Sequence, residues 1–441
     1  MHSLALALHR KGLQVSGSDD AIYSPSKEAL EASGLLPHAM GWFPEKILAD
    51  LDAVILGMHA RKDNPELVEA QKKGLSIFSY PEFIAKITEH QTRVVIGGSH
   101  GKTTITAMVL HVLKQSDIEV DYLVGATVQD YDHSVELKGT ADFVVLEGDE
   151  YLSSPIDLRS KFLWYTPQIA LLSGIAWDHV NVFPTAESYT QTFDAFVNSI
   201  TPGGVLVYQE ADAPLVDLVD NNSNTIRKEP YGKVDCTVIN GQTFLQTDEG
   251  PIPLQVFGEH NMQNLAGAQW ICQLMGVDVE EFNHAISSFR GASGRLELLA
   301  AGNTSLAFRD FAHAPSKVKA TTQAVAQQFD NKQLCAGFEL HTFSSLTSEF
   351  LDEYKQSLQP ADQAFVYYDP EALIQKNRPA IAPETIQQAF DHPNLSVLTS
   401  REELSHYLRQ LAISDRVFLL MSSGTFGGVS FEELMAKIKS A

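Results

Sequence analysis

Residues 92–115 read TRVVIGGSHGKTTITAMVLHVLKQ, and this stretch decides the fold of the middle of the chain. The apolar run at 94–96 predicts a buried strand, which leads into a glycine-containing loop. Apolar side chains then recur at the i, i+3, i+4, i+7 and i+8 spacing of a helix packed on a sheet, namely Ile105, Met108, Val109, Val112 and Leu113. A strand, a glycine loop and a helix with Gly-Lys-Thr at the junction form a cradle for phosphate groups.

The chemistry of this loop predicts a nucleotide site. Glycines allow backbone N–H groups to turn inward, the Lys102 ammonium can meet the β- and γ-phosphates, and the Thr103 hydroxyl can ligate magnesium. The spacing departs from the usual phosphate loop, because Ile96 stands where its first glycine would be. The alternative is a glycine-rich turn that only packs a helix onto a strand. The candidate nucleotide-binding residues of the loop are Gly98, Ser99, His100, Gly101, Lys102, Thr103 and Thr104.

Two more candidate residues follow predicted strands. Glu147 comes directly after the apolar run 143–146, where ligands bind in open α/β sheets. Its carboxylate is a candidate magnesium ligand because hard cations take oxygen donors, although the acidic cluster 147–150 could instead be a solvated turn. His179 follows the predicted strand 169–173 and could ligate a second metal or contact an acyl phosphate. The alternative for His179 is a loop histidine that is only hydrogen-bonded.

The bulk composition narrows the classes of function. The net charge of -23 argues against a nucleic-acid partner, because phosphate backbones need a basic protein face. No apolar run approaches the roughly 18 residues that a membrane span needs, and nothing reads as a signal peptide. The three scattered cysteines have no metal or redox spacing and favour a reducing, cytoplasmic setting.

The order of predicted elements indicates an α/β protein. Short β-branched runs alternate with helical stretches from end to end, which predicts largely parallel sheets. A chain of 441 residues is too long for one core, and we predict three domains, at 1–88, 89–293 and 294–441, with a hinge at 287–294. The chain opens in a helix and a strand is predicted at 13–19, without the earlier strand and glycine-rich turn of a nucleotide-binding βαβ unit. We interpret this as a missing first strand; a domain that simply begins with a helix is the alternative.

Five segments, in this order, resemble the Mur ligases: GGSHGKTT at 97–104, EGDEY at 147–151, DH at 178–179, FGEHNMQNLAGA at 257–268 and DFAHAP at 310–315. The resemblance covers essentially the whole chain. It implies a three-domain α/β architecture: a Rossmann-like N-terminal domain lacking its first strand, a central P-loop ATPase domain and a Rossmann-like C-terminal domain. It also implies a cytoplasmic ligase of peptidoglycan synthesis, a monomer or weak homo-oligomer, that uses ATP and Mg²⁺ to join UDP-N-acetylmuramate to an amino acid or peptide.

The resemblance also assigns roles to residues. Lys102, Glu147 and His179 would be catalytic, and the metal ligands would be Thr103, Glu147 and His179. The adenine pocket would be lined by His260 and Asn264. The third domain would close onto the second and reach ATP with Arg295, Asp310 and His313. The UDP-sugar would meet Ser18, Asp19, His59 and Asn64, with a helix N-cap and a turn as the alternative for His59 and Asn64.

Within the family, two segments resemble the branch that attaches a murein tripeptide, L-alanyl-γ-D-glutamyl-meso-diaminopimelate, through an acyl phosphate: EGDEYLSSPIDLRSKF at 147–162 and MSSGTFGG at 421–428. No lysine lies between Lys161 and Lys228, where some Mur ligases carry a carbamylated, metal-bridging lysine. This absence narrows the choice to the tripeptide branch and the branch that adds L-alanine. Ala314 departs from both, because they usually carry a second histidine there. L-alanine is therefore the alternative amine, and a catalytically silent ATP-binding protein is the alternative of another class.

Overall fold

The computed structural model describes residues 1–126, 128, 131–177, 182–342, 345–375 and 379–440, which form two compact units. Unit 1 comprises Met1–Trp177, Thr185–Gly232 and Gly267–Asp278. Unit 2 comprises, among the described residues, 182–184, Lys233–Ala266 and 279–440. No helix in these ranges is both long and apolar enough to cross a membrane.

The elements of unit 1 run in chain order as follows. The first section holds α1 (His2–Arg10), α2 (Ser26–Ala32), β1 (Val54–Leu56), α3 (Pro65–Lys72), β2 (Ile77–Ser79) and α4 (Tyr80–Ile87). The phosphate-loop section holds β3 (Thr92–Gly97), α5 (Lys102–Gln115), β4 (Asp121–Leu123), β5 (Val135–Glu136), β6 (Phe143–Glu147), β7 (Leu152–Ser154), β8 (Asp157–Ser160), β9 (Ile169–Leu172), α6 (Ala186–Ser199), β10 (Val205–Gln209), α7 (Ala213–Asn221) and β11 (Arg227–Tyr231).

Unit 2 begins with β12 (Cys236–Ile239), β13 (Gln242–Thr247), β14 (Gly250–Leu254) and the helix α8 (Glu259–Leu274), whose last residues belong to unit 1. It continues with α9 (Val279–Ile286), β15 (Glu297–Ala301), β16 (Leu306–Asp310), α10 (Pro315–Gln328), β17 (Gln333–Glu339), α11 (Ser348–Leu351), β18 (Gln363–Tyr367), α12 (Pro370–Gln375), α13 (Pro383–Phe390), β19 (Leu395–Leu398), α14 (Arg401–Gln410), β20 (Arg416–Met421) and α15 (Glu432–Lys439).

The core of unit 1 is a seven-stranded sheet in the order β11-β10-β9-β3-β6-β4-β5. All neighbouring pairs are parallel except β4 with β5. The inner residues of the central strands β3, β6 and β9 are apolar and fully buried, as expected for parallel strands covered on both faces. Because β3 lies between β6 and β9, the carboxyl ends of these three strands meet at one edge.

The core of unit 2 is a six-stranded sheet in the order β15-β16-β20-β17-β18-β19, parallel except for β15 with β16. The predicted strands 305–308, 334–338, 363–368 and 416–421 correspond to β16, β17, β18 and β20. The strands β12, β13 and β14 form a separate antiparallel sheet.

The first section of unit 1 holds only a short parallel pair, β1 with β2. The strand predicted at 13–19 is wrong, because these residues are irregular and Leu13 is 47% exposed. An extended segment becomes a strand only when its backbone groups pair with a neighbour. The helix predicted at the start of the chain is confirmed as α1.

Candidate functional site

The predicted strand, loop and helix are confirmed at the carboxyl edge of the unit 1 sheet. The strand β3 ends at Gly97, and α5 begins at Lys102 after a left-handed Gly101 with φ +80°. Gly98 has φ +123°, and an added Cβ would lie 2.4 Å from the Ser173 hydroxyl oxygen. Only glycine fits there, because both the backbone angle and the close approach exclude a side chain.

The loop is tied to the end of the neighbouring strand β9. The backbone N–H of Ser99 donates to the carbonyl of Gly174 at 2.9 Å, and the Ser99 hydroxyl oxygen lies 3.3 Å from the same carbonyl oxygen. The Ser173 hydroxyl donates to the carbonyl of His100. Thr104 is buried in the first turn of α5. Because the free N–H groups of a helix start attract anions, this held loop suits a phosphate ligand.

Lys102 has two oxygen partners, one in the loop and one in the segment that follows β6. Its ammonium donates to the Glu150 carboxylate at 2.9 Å and to the carbonyl of Gly98. Burial acts to lower the pKa of Lys102, but the charges of Glu150, Asp149 and Glu147 outweigh it and hold the pKa above its usual value. The lysine is therefore a fixed positive charge at the phosphate loop.

Glu147 and Thr103 lie together, as the sequence predicts. The Thr103 hydroxyl donates to one carboxylate oxygen of Glu147 at 2.8 Å, and the Gly125 N–H donates to the other at 2.7 Å. An added Cβ at Gly125 would stand 3.0 Å from both of these oxygens. The end of β6 thus presents carboxylate oxygens directly beside the first turn of α5.

Glu150 is a site residue that the sequence analysis did not single out. It is 0% exposed, and Tyr189 of α6 donates to its second carboxylate oxygen at 3.1 Å. The same Tyr189 hydroxyl lies 3.2 Å from the hydroxyl oxygen of Ser99. The acidic run 147–150 was the available signal, but spacing alone does not tell which acid turns inward.

His179 lies outside the described residues, so its predicted role as a metal ligand stays a prediction. The described residues that precede His179 are held in place by Asp212. Asp212, which caps α7, accepts the N–H of Ile175 at 2.8 Å. An added Cβ at Gly174 would stand 2.8 Å from the same Asp212 oxygen, so the chain turns closely around this carboxylate.

The structure places the two predicted adenine-pocket residues one turn apart at the start of α8. His260 is half-buried and Asn264 is buried. Loss of hydration lowers the pKa of His260 below its usual value, and the charges of Asp310 and Glu259 oppose this without cancelling it. The lowered pKa favours the neutral imidazole, which has one N–H donor and one nitrogen acceptor.

Asp310 has a local structural role at the end of β16. One carboxylate oxygen accepts the N–H of Leu296 at 2.7 Å, and the other accepts the N–H of Ala312 at 2.8 Å. Leu296 has φ +46°, a strained value for a branched side chain. The carboxylate stabilises this turn and thereby sets the position of the neighbouring Arg295.

Arg295 and His313 both contact the ring of Phe311. The guanidinium of Arg295 stands over the Phe311 ring, 4.6 Å from its centroid. The imidazole of His313 meets the same ring edge-to-face at 5.3 Å, with its Nδ1 2.9 Å from the Phe311 carbonyl. The structure thus brings the three residues predicted from the third domain, Arg295, Asp310 and His313, into one corner of unit 2.

A second residue that the sequence analysis missed is Glu339, at the end of β17. Its buried carboxylate accepts the Ser422 hydroxyl, the Phe426 N–H at 2.8 Å and the Gly427 N–H at 3.2 Å. The glycine-rich segment 421–428, which follows the adjacent strand β20, folds around this carboxylate. The sequence signal for this contact was that Glu339 and the segment 421–428 each come at the end of a predicted strand.

The four predicted UDP-sugar residues lie in the first section of unit 1. Asn64 caps α3, with its side-chain oxygen accepting the N–H groups of Glu66 and Leu67 at 3.0 and 3.1 Å. His59 lies in a turn. Ser18 accepts from the Lys46 ammonium at 3.2 Å, and Asp19 accepts the N–H of Asp20 at 2.8 Å. Their role toward a sugar stays a prediction.

Three family models match the chain in succession. The model described as "Mur ligase family, catalytic domain" matches residues 1–92, the Mur ligase middle domain matches 96–272, and the model described as "Mur ligase, glutamate ligase domain" matches 294–424. The predicted three-domain α/β architecture is confirmed. The boundaries predicted at 88/89 and 293/294 stay predictions.

Relatives and solved structures agree with these matches. A UDP-N-acetylmuramate–L-alanine ligase of Lactiplantibacillus plantarum is 30% identical over 382 residues, which cover 83% of this chain and 81% of that protein. The murein peptide ligase of Psychrobacter arcticus has a TM-score of 0.66 at 24% identity, covering 99% of this chain and 96% of that one. A UDP-N-acetylmuramate-alanine ligase of Thermotoga maritima has a TM-score of 0.73 at 19% identity, covering 100% and 97%. At these identities the two structures show a shared fold alone. The chain belongs to the Mur ligase family, the ATP-dependent ligases that form amide bonds in peptidoglycan synthesis.

Proposed function

We propose that the loop 97–104 binds the phosphates of ATP for an amide-forming reaction on UDP-N-acetylmuramate. The observation that carries this proposal is the cluster at the carboxyl edge of the unit 1 sheet. There Lys102 presents a fixed positive charge, and Glu147 stands 2.8 Å from Thr103. A phosphate cradle needs glycines that allow unusual backbone angles, the N-terminus of a helix and a lysine that is fixed in position.

The donor set at this cluster fits magnesium. The Thr103 hydroxyl and a Glu147 carboxylate oxygen place two oxygen donors 2.8 Å apart. Mg²⁺ takes oxygen ligands and completes its shell with water and substrate phosphates, so these two residues would hold it. When bound, it would offset negative charge on those phosphates.

The reaction needs an activated carboxylate, because a carboxylate does not condense with an amine in water. We propose that the lactyl carboxylate of UDP-N-acetylmuramate attacks the γ-phosphate of ATP, which gives an acyl phosphate and ADP. The amine then attacks the acyl carbon, and inorganic phosphate leaves. In this scheme the loop N–H groups and Lys102 hold the transferring phosphoryl group, and positioning supplies much of the rate.

The roles of the remaining predicted residues are part of the proposal. We assign Ser18, Asp19, His59 and Asn64 to the UDP-sugar, and His260 and Asn264 to adenine. The corner of unit 2 formed by Arg295, Asp310 and His313 is assigned to ATP, with His179 as a further metal ligand. The assignment of this corner is supported by the Asp310 carboxylate, which accepts the N–H of Leu296 and so fixes the turn that carries Arg295.

The amine is the α-amine of L-alanine, either as the free amino acid or as the first residue of the murein tripeptide. Several relatives are UDP-N-acetylmuramate–L-alanine ligases, which favours free L-alanine. The segments 147–162 and 421–428 favour the tripeptide. The second of these segments folds around Glu339 at the carboxyl edge of the unit 2 sheet, where open α/β sheets bind ligands.

A single assay separates these alternatives. Phosphate release is measured with ATP, Mg²⁺ and UDP-N-acetylmuramate, and L-alanine is compared with L-alanyl-γ-D-glutamyl-meso-diaminopimelate. Release with free alanine identifies the alanine-adding reaction, and release that requires the tripeptide identifies the peptide-attaching one. In either case we expect Lys102→Ala to lower turnover on the order of 10²-fold, because one preorganised charge is lost. Release with neither amine, from a protein that binds ATP, would favour a silent nucleotide-binding protein.

A further inference from the structure

Glu150 is a fully buried carboxylate at the centre of a hydrogen-bonded chain that links three elements of unit 1. One oxygen accepts from Lys102 at the start of α5, at 2.9 Å. The other accepts from Tyr189 of α6, at 3.1 Å. Tyr189 also lies 3.2 Å from the Ser99 hydroxyl of the phosphate loop. Lys102, Ser99 and Glu150 are therefore joined in one network around the loop.

The buried Glu150 carboxylate destabilises the fold unless hydrogen bonds and a positive charge replace its lost hydration. An isolated buried carboxylate carries a large desolvation cost, which pairing and hydrogen bonds offset. Tyr189 is 0% exposed, and its ring is packed edge-to-face on Phe193 at 5.0 Å, so its hydroxyl has a set position. A fixed hydroxyl fixes the carboxylate, and the carboxylate in turn fixes the lysine.

Asp149 provides the contrast within the same acidic run. Its carboxylate pairs with Lys161 at 2.6 Å and accepts the N–H of Tyr151 at 3.0 Å, and its side chain is 39% exposed. It therefore braces the turn that follows β6. Glu150 is the only one of the two that contacts the loop lysine in the described structure.

We propose that Glu150 is a positioning residue for Lys102: its carboxylate fixes the place of the lysine ammonium in the phosphate loop, and Tyr189 ties that carboxylate to the loop through Ser99. Glu150 does not itself touch the nucleotide in this scheme. It acts by presenting Lys102 in one orientation. The inference rests on the proposed role of the loop in holding the phosphates of ATP.

The experiment compares Glu150→Gln with Asp149→Asn in the full chain, measuring kcat and the KM for ATP. Each variant removes one negative charge with little change in side-chain shape, but only the first removes it from contact with Lys102. Without the Glu150 carboxylate, the Lys102 ammonium loses its charged partner at 2.9 Å and is no longer held in one place in the loop.

For Glu150→Gln we expect kcat to fall about tenfold or more. The KM for ATP should change much less, because the loop N–H groups still bind the phosphates. Asp149→Asn should keep kcat near the wild-type value. Tyr189→Phe, which keeps the ion pair, should lower kcat by less than Glu150→Gln does. A merely structural glutamate would lower the amount of folded protein but not the kcat of the folded fraction.

A wild-type kcat in folded Glu150→Gln would overturn the inference. Folding is checked by the thermal unfolding midpoint. If Glu150→Gln does not fold, the Tyr189→Phe variant decides, because an unchanged kcat in that variant would also overturn the inference. The Lys102→Ala variant distinguishes a failure of the proposed function from a failure of the positioning role. Activity in Lys102→Ala would refute the proposed role of the loop. An inactive Lys102→Ala beside a wild-type-like Glu150→Gln would refute the positioning role alone.

Discussion

At the residue scale, the Glu147 carboxylate accepts hydrogen bonds from Thr103 and from the backbone of Gly125, one on each oxygen. These contacts hold the carboxylate at the start of α5 in a single orientation. If it binds Mg²⁺ there, Glu147→Gln removes the only formal negative charge of the proposed donor pair. The amide is nearly the same size, so the packing of the site should change little.

We expect Glu147→Gln to raise the Mg²⁺ concentration for half-maximal activity by about tenfold or more, since changing the partner of a ligand alone already costs this much. The measurement is ligase activity against Mg²⁺ at saturating ATP. Glu119→Gln is the matched control, because Glu119 is an exposed acid paired with Lys138 at the surface. An unchanged Mg²⁺ requirement in Glu147→Gln would remove Glu147 from the metal site.

The sequence could identify residues whose role depends on local spacing. Lys102 and Thr103 stand at fixed places between a strand and a helix, and the structure confirms both elements. Glu150 could not be found in this way. Its importance comes from Tyr189, which is 39 residues away in the chain and reaches it only through the packing of α6 on the sheet.

At the element scale, Asn64 caps α3 and has a proposed role in binding the UDP-sugar, and substitutions can separate these two roles. Its side-chain oxygen accepts two N–H groups at the start of α3, and this is the helix-cap alternative weighed from the sequence. We expect Asn64→Ala to lower the free energy of unfolding by about 1 kcal/mol, because the cap hydrogen bonds are lost. Urea unfolding measures this change.

The control is Asn64→Asp, which caps a helix about as well as asparagine. We expect it to restore the stability. A KM for UDP-N-acetylmuramate that rises in both variants would support the proposed role of Asn64 in sugar binding. A normal KM in Asn64→Asp would assign Asn64 to the helix alone.

Buried strands were the most predictable elements, and lone extended segments were the least. The strand β20 has the predicted bounds, because the apolar run at 416–421 must be covered on both faces of a parallel sheet. The segment 13–19 has apolar residues too, but no neighbouring strand pairs with it in the described structure. Pairing is a long-range property that the local sequence does not carry.

At the scale of the whole molecule, the four tryptophans offer a probe of one unit. Trp42, Trp164, Trp177 and Trp270 all belong to unit 1, which also holds the phosphate loop. Tryptophan fluorescence therefore reports the unfolding of unit 1, whereas calorimetry reports the whole chain. Proteins with more than one compact unit often unfold in more than one transition.

A ligand stabilises the state to which it binds. At a concentration of 100 times its dissociation constant, a non-hydrolysable ATP analogue with Mg²⁺ should add about 2.7 kcal/mol to the stability of the unit that holds the nucleotide. We expect the fluorescence-detected transition to move to higher temperature and to return to the ligand-free value in Lys102→Ala. A second calorimetric transition, invisible to fluorescence, should move less. A ligand held by the loop 97–104 must stabilise unit 1 against unfolding. If the analogue does not change the temperature of the fluorescence-detected transition in the wild-type chain, the nucleotide binds outside this loop.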